Sequence, residues 1–361
     1  MKIILTTSMR GLGGTETATL RLGRLLCQRG HDVILASSDG PLVEEAKAAG
    51  MRHYLVDFYN HGKKGYWNGM LAFRQILQTE QPDIVHCQMA RIVPACAAAV
   101  KMTTPRAKVF YHARGLNPQT YPKIAKLFDW LGVSIIANCQ HERQKLIRHG
   151  FPAQRISYTY NALPETAPVI AKTQRDEIVL GTLSRLDKVR AVHLLLPMFK
   201  QLLDKGLAVR LKVAGEGDER AALEEQAQAL GIADKVEFLG AVRDLAHYFS
   251  EVDILANTLN CAGDHGAGIG NNILEAGLYH TPVVTYDVAG IAEMVQHDKT
   301  GYCVPLRDDE TFVAALESLI KRAELRQQFG DALHQRVLTL CSDDEIYRTT
   351  LAAYQMGNSL S

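Results

Sequence analysis

Short apolar runs alternate with stretches of helical spacing, and the alternation occurs twice along the chain. The first series reads KIIL, DVILA, HYLV, DIVHC, KVFYH and SIIAN. Runs of this length, rich in β-branched and aromatic residues, are strands rather than helices. After the first run, Ala18, Leu22, Leu25 and Leu26 fall at i, i+4, i+7 and i+8, one face of a helix, and Gly30 stands where a helix would end. Strands alternating with helices build a parallel sheet covered on both faces. The stretch NALPETAPVIAKTQRDE keeps no period and is expected to be a linker. A second series follows: EIVLGTLSRL, VRLKVAGEG, KVEFLG, VDILAN, TPVVTY and GYCVP. The expected fold class is therefore α/β, with two doubly wound Rossmann-like domains over 1–165 and 166–340.

Length and charge agree with two domains. The chain has 361 residues, 47% hydrophobic and 22% charged, values of an ordinary globular protein with a sizeable core. No apolar run approaches the roughly 20 residues of a membrane span. The chain opens on a strand, so no secretory signal is expected. Seven cysteines with no Cys-x-x-Cys pair argue against a disulfide framework and a zinc site, and suit a reducing cytoplasm. No Asp-x-Asp occurs and the histidines lack ligand spacing, so no catalytic metal or other cofactor is expected. Residues 1–160 carry 21 Lys plus Arg against 10 Asp plus Glu, and the remainder 19 against 29. The basic half suits an anionic partner. Nucleic acid is not expected, because no recognition motif accompanies the charge.

The first strand runs straight into MRGLGGTET. Glycines Gly11, Gly13 and Gly14 at the C-terminal edge of a parallel sheet let a ligand approach the backbone, and the next helix adds its positive end. A merely tight strand–helix connection would use the same residues. The spacing is neither Gly-x-Gly-x-x-Gly nor a P-loop.

The second series is more specific. LSRLDKVR follows its first strand, AGEGDERAALEE its second, and AGIGNNILEAGLYHTPVVTYDVAGIAEMV spans a later strand edge. With GLGGTE, HARG and TYNAL in the first half, the chain resembles the GT-B glycosyltransferases, most closely the retaining family 4 type, over nearly its whole length. The resemblance implies two domains facing across a cleft, with 341–361 a helix crossing back to the first. It implies an acceptor-binding first domain and a nucleotide-sugar-binding second.

Residue by residue, the resemblance makes Arg185 and Arg190, with Lys188 as a near alternative, a cationic clamp on the departing diphosphate. Glu275 would accept hydrogen bonds from the ribose hydroxyls. Gly215, Gly268, Gly270, Asn271 and Asn272 would face the donor, opposite Gly13 and Gly14. His112 matches the family histidine beside the donor sugar. The family's first glutamate falls on Ala267, with Asp264 and His265 nearby as substitutes. Retention would follow from acceptor attack on the face the diphosphate leaves, with a departing phosphate oxygen taking the proton.

The acceptor, a surface glycan or glycolipid such as lipopolysaccharide, is expected at the basic half. FYNHGKKGYWNG, with Phe58, Tyr59, His61, Lys63, Lys64, Tyr66 and Trp67, and KIAKLFDWLG, with Lys123, Lys126, Phe128 and Trp130, suit an anionic membrane surface. An ordinary loop and surface helix fit the same residues. Arg114 joins Lys63, Lys64 and Trp67 as an acceptor or membrane candidate. The function expected is a metal-independent hexosyl transfer from a UDP-sugar in the cytoplasm, peripheral to the membrane. An epimerase, a phosphorylase or a catalytically silent sugar-nucleotide binder are the alternatives.

Overall fold

The computed structural model describes residues 1–58, 62–115, 118–164, 172, 175–265 and 268–357, without the side chains of Lys63, Pro118 and Asp264. The chain divides into two compact units, Met1–Ala162 with Cys341–Ser361, and Leu163–Leu340.

The first unit holds seven strands: β1 (Lys2–Thr7), β2 (Asp32–Ser37), β3 (Arg52–Leu55), β4 (Ile84–Cys87), β5 (Lys108–Ala113), β6 (Ser134–Ala137) and β7 (Ile156–Tyr158). They pair in parallel in the order β3-β2-β1-β4-β5-β6-β7. The second unit holds β8 (Ile178–Leu183), β9 (Val209–Ala214), β10 (Val236–Gly240), β11 (Ile254–Asn257), β12 (Val283–Tyr286) and β13 (Gly301–Val304), in the order β10-β9-β8-β11-β12-β13, also parallel. Both sheets are doubly wound. The strand order reverses beside β1 in one and beside β8 in the other, and such reversals open a crevice at the C-terminal strand edge. The short edge strand β7 was not anticipated: ISY is only three residues long and carries two polar-tipped side chains.

Alternation along β4 and β5 sorts the first unit's chemistry. Val85, Cys87, Val109, Tyr111 and Ala113 enter an apolar layer with Phe73, Leu77, Val100, Phe128 and Leu146. His86, Phe110, His112 and Arg114 therefore face the opposite side. There the helix Asp343–Met356 covers the sheet. Its Tyr354 ring lies 5.1 Å from that of Phe110, and Thr349 meets Thr159 hydroxyl to hydroxyl at 2.7 Å. The Ser342 side chain caps its start, and Asp343, Asp344 and Glu345 in the first turn suit the positive helix end. A large side chain buried as fully as Tyr354 contributes about 1.5–3 kcal/mol, so the last helix is an integral part of this unit.

Candidate active site

In the second unit the loop after β8 carries Arg185, Lys188 and Arg190. Asp187 organises it. One carboxylate oxygen accepts from the backbone N–H groups of Val189 and Arg190 at 3.0 and 2.8 Å, and the other from Arg185 Nε at 2.6 Å. Burial pushes the Asp187 carboxyl up, but the Arg190 N–H and the Arg185 guanidinium outweigh it and hold it below its usual range. Burial lowers the half-buried Arg190 guanidinium; Asp187 opposes that, and Arg185 depresses it further. Two guanidinium groups thus lie within electrostatic reach of each other, while Lys188 is exposed.

Neighbouring loops fasten this one. Leu186 N–H donates to Glu216 O at 2.9 Å, Asn260 N–H to Val189 O at 2.8 Å, and Thr258 Oγ1 to Arg190 O at 3.1 Å. Gly215, φ +137°, is required where β9 ends, because a Cβ there would stand 1.8 Å from Ser184 O. The helix Asn271–Leu278 starts at Gly270 on the same strand edge. Asn272 reaches Asn257 Oδ1 at 3.5 Å, and Asn257 in turn donates to Thr285 Oγ1 at 3.0 Å. Gly268 has φ +82°, and Glu275 is 6% exposed. The loops after β8, β9 and β11 and this helix bring Arg185, Arg190, Gly215, Gly270, Asn271, Asn272 and Glu275 to one edge.

His334 braces the far end of that helix. Its Nδ1 donates to the carbonyls of Gly277 and Leu278 at 3.0 and 3.1 Å, where the C-terminal partial charge favours it. A Cβ on Gly277 would stand 2.6 Å from Val337. The helix Asn271–Leu278 is therefore pressed against the helix Ala323–Cys341.

The first unit offers a separate constellation. Gly13 caps the helix Gly14–Gln28, and Glu16 folds back so that a Cβ on Gly13 would meet its Oε2 at 2.7 Å. His112 is 2% exposed and stacks on His86 at 5.2 Å between ring centres, 9° from parallel. His86 Nδ1 is fixed by Tyr354 Oη at 2.9 Å. Burial, then Arg114, pushes His86 down to about 3, and the same causes hold His112 well below its usual value, so both rings are neutral at physiological pH. Arg114 donates to Asn161 Oδ1 at 2.6 Å and Gln88 Oε1 at 3.1 Å.

Two family models match, Glycosyltransferase Family 4 over residues 12–165 and Glycosyl transferases group 1 over 165–336. The chain belongs to the family 4, group 1 glycosyltransferases. Its fold is GT-B. An uncharacterized glycosyltransferase of Haemophilus influenzae is 23% identical, over 88% of this chain and 90% of that protein. The capsular polysaccharide biosynthesis glycosyltransferase CapM of Staphylococcus aureus is 26% identical over 91% of each. HepE of Anabaena, crystallised with UDP and glucose, superposes with a TM-score of 0.83 at 18% identity, covering 98% of this chain and 99% of that one.

Within this glycosyltransferase the candidates fall into separate places. Lys64 and Trp67 are exposed on the helix Gly62–Glu80, in the layer opposite the one that Arg114 and His112 face. Lys63's side chain, Tyr59, His61 and Ala267 lie outside the described residues. Phe58 and Phe128 are core residues, 2% exposed each, because their positions on the strand exit and the helix point into the apolar layer. Tyr66 is tied to the backbone of Arg91 and Ala95. Sequence reasoning passed over Asp187, Asn257, Gln88, His334 and Tyr354. An Asp just past a strand end is a turn former, and an Asn closing an apolar strand is an edge residue, so the first two carried a signal. Tyr354 meets His86 across 268 positions, which no local pattern encodes.

Proposed function

We propose that this glycosyltransferase moves a hexose from UDP to a surface glycan or glycolipid, with retention at the anomeric carbon and without a metal. The observation that carries it is the loop Arg185–Arg190, pinned by Asp187 at the same strand edge as Glu275. Two guanidinium groups there suit a diphosphate, and their charge acts most strongly as the leaving group gains its own. Glu275 takes the ribose, and the start of the helix Asn271–Leu278 directs its N–H groups at the donor. In the first unit, Gly13 and Gly14 leave the backbone open at the start of the helix Gly14–Gln28, and the His112 ring is neutral. The neighbour crystallised with UDP and glucose and the relative that acts in capsular polysaccharide biosynthesis support donor and acceptor class. The second unit is the donor domain and the first the acceptor domain.

The chain works at the cytoplasmic membrane face. Lys64, Trp67 and Leu71 share one exposed helix face, and Lys123, Lys126, Leu127 and Trp130 are exposed on the helix Tyr121–Trp130 of the same layer. Among the described residues no helix is long and apolar enough to cross a membrane. A screen of UDP- and GDP-sugars for nucleotide release with candidate acceptors tests the activity. Release from UDP-sugars that requires an acceptor supports it. Acceptor-free epimerisation, phosphate-dependent cleavage, or binding without turnover would each replace it.

A further inference from the structure

The C-terminal ends of β4 and β5 gather polar atoms that have no partner. His86 Nε2, Gln88 Nε2, both ring nitrogens of His112, and Arg114 Nε are buried without a hydrogen bond. Their side chains share one face of two adjacent strands. His86, Gln88 and His112 are each at least nine-tenths buried. A buried polar atom left unsatisfied costs about 1–3 kcal/mol, so a cluster of them on a ligand-binding edge marks unused recognition capacity.

The charge there is as unusual as the hydrogen bonding. Arg114 is held by two neutral amides, those of Gln88 and Asn161, and among the described residues no carboxylate is paired with it. Glu16 reaches it only through space, and burial brings the guanidinium down to about 10. A half-buried cation with no carboxylate in hydrogen-bond contact is unfavourable. Amide partners orient a guanidinium while leaving its charge unneutralised. Arg114 also lines a cavity with His112, Thr159, Asn161 and Ile346.

We propose that this strand edge is an oxyanion subsite, in which Arg114, oriented by Gln88 and Asn161, binds a carboxylate or phosphate group carried by the acceptor. The planar fork suits either group. The acceptor is then an acidic glycan or a phosphate-bearing one rather than a neutral sugar. The subsite rests on the assignment of the first unit to the acceptor.

Calorimetric titration of the full-length protein tests it, with UDP saturating so that Arg185 and Arg190 are occupied. The probes are inorganic phosphate, glucuronate and, as the neutral control, glucose. One equivalent of phosphate or glucuronate should bind, and glucose should not. Phosphate alone identifies a phosphorylated acceptor; glucuronate alone identifies an acidic sugar. Arg114→Gln should weaken the anion by about tenfold or more, with Arg114→Lys between, while UDP affinity stays within about threefold. A wild-type protein that binds UDP but neither anion overturns the subsite, whether or not Arg114→Gln folds. Parallel loss of UDP affinity in the variant also overturns it, because Arg114 would then serve the donor. Anion binding by a protein that does not bind UDP would keep the subsite and remove the donor assignment instead.

Discussion

Replacing Asp187 with Ala should separate recognition of the diphosphate from recognition of the nucleoside. The carboxylate makes three contacts, two to the backbone N–H groups of Val189 and Arg190 and one to Arg185 Nε. The Arg185 pair is weak, about 0.2–1 kcal/mol, since the arginine side chain is 73% exposed. The backbone bonds to a charged, three-quarters-buried acceptor matter more, at about 1.5–3 kcal/mol each when well shielded. Without them the loop loses its turn and both guanidinium groups lose their aim. If one charge-assisted contact to the diphosphate is forfeited, UDP binding weakens by about 1.5–3 kcal/mol, or roughly 10- to 150-fold. Uridine, which has no phosphate, should bind the variant as it binds the wild type. Asp187→Asn keeps an oxygen for the backbone but makes both backbone bonds neutral and loses the Arg185 pair, so its effect should fall between wild type and Asp187→Ala. Calorimetry with UDP and uridine reads all three. The carboxyl is held below its usual value, so the stabilisation it provides is present above the unfolded pKa of about 3.9 and is lost as the pH falls through the folded one. Equal UDP-to-uridine preference in Asp187→Ala and wild type would refute the loop's role.

Three further outcomes follow from the same geometry. Glu275→Ala should weaken uridine and UDP alike, by about 1.5–3 kcal/mol, and unchanged uridine affinity in a folded variant would remove Glu275 from the ribose. Chelation with EDTA should leave the transfer rate nearly unchanged, because guanidinium groups supply the positive charge; abolition with rescue by Mn²⁺ would contradict the clamp. Tyr354→Phe keeps the ring packing but strips His86 Nδ1 of its partner, so denaturant titration should show a loss of about 1–3 kcal/mol, and an unmoved midpoint would mean that the hydroxyl contributes nothing.

The strands were legible because each is a short apolar run with its own turn chemistry. Only β7 escaped, since ISY carries neither the length nor the apolar content of a buried strand. The candidate donor site was legible as far as it is local. Arg185, Gly215 and Glu275 each sit at a fixed offset from a strand or helix end. What holds them was not legible. Asn257, Thr285 and Asn272 form one hydrogen-bonded series from three separate segments, and His334 reaches the helix Asn271–Leu278 from 57 residues downstream. The aromatic and basic segments were legible only in part, for a related reason. Lys64 and Trp67 advertise a surface, but Phe58, Tyr66 and Phe128 in the same stretches spend their rings on the apolar layer or the backbone.

The anomeric configuration of the product tests the central claim most directly. A UDP-α-hexose accepted in the donor screen should be transferred to its acceptor, and the proton NMR spectrum of the purified product should show the small anomeric coupling of an α-linkage. A β-linked product would contradict retention and the front-face role given to the departing diphosphate. Absence of acceptor-dependent UDP release from every UDP-sugar tried would contradict the transferase assignment itself.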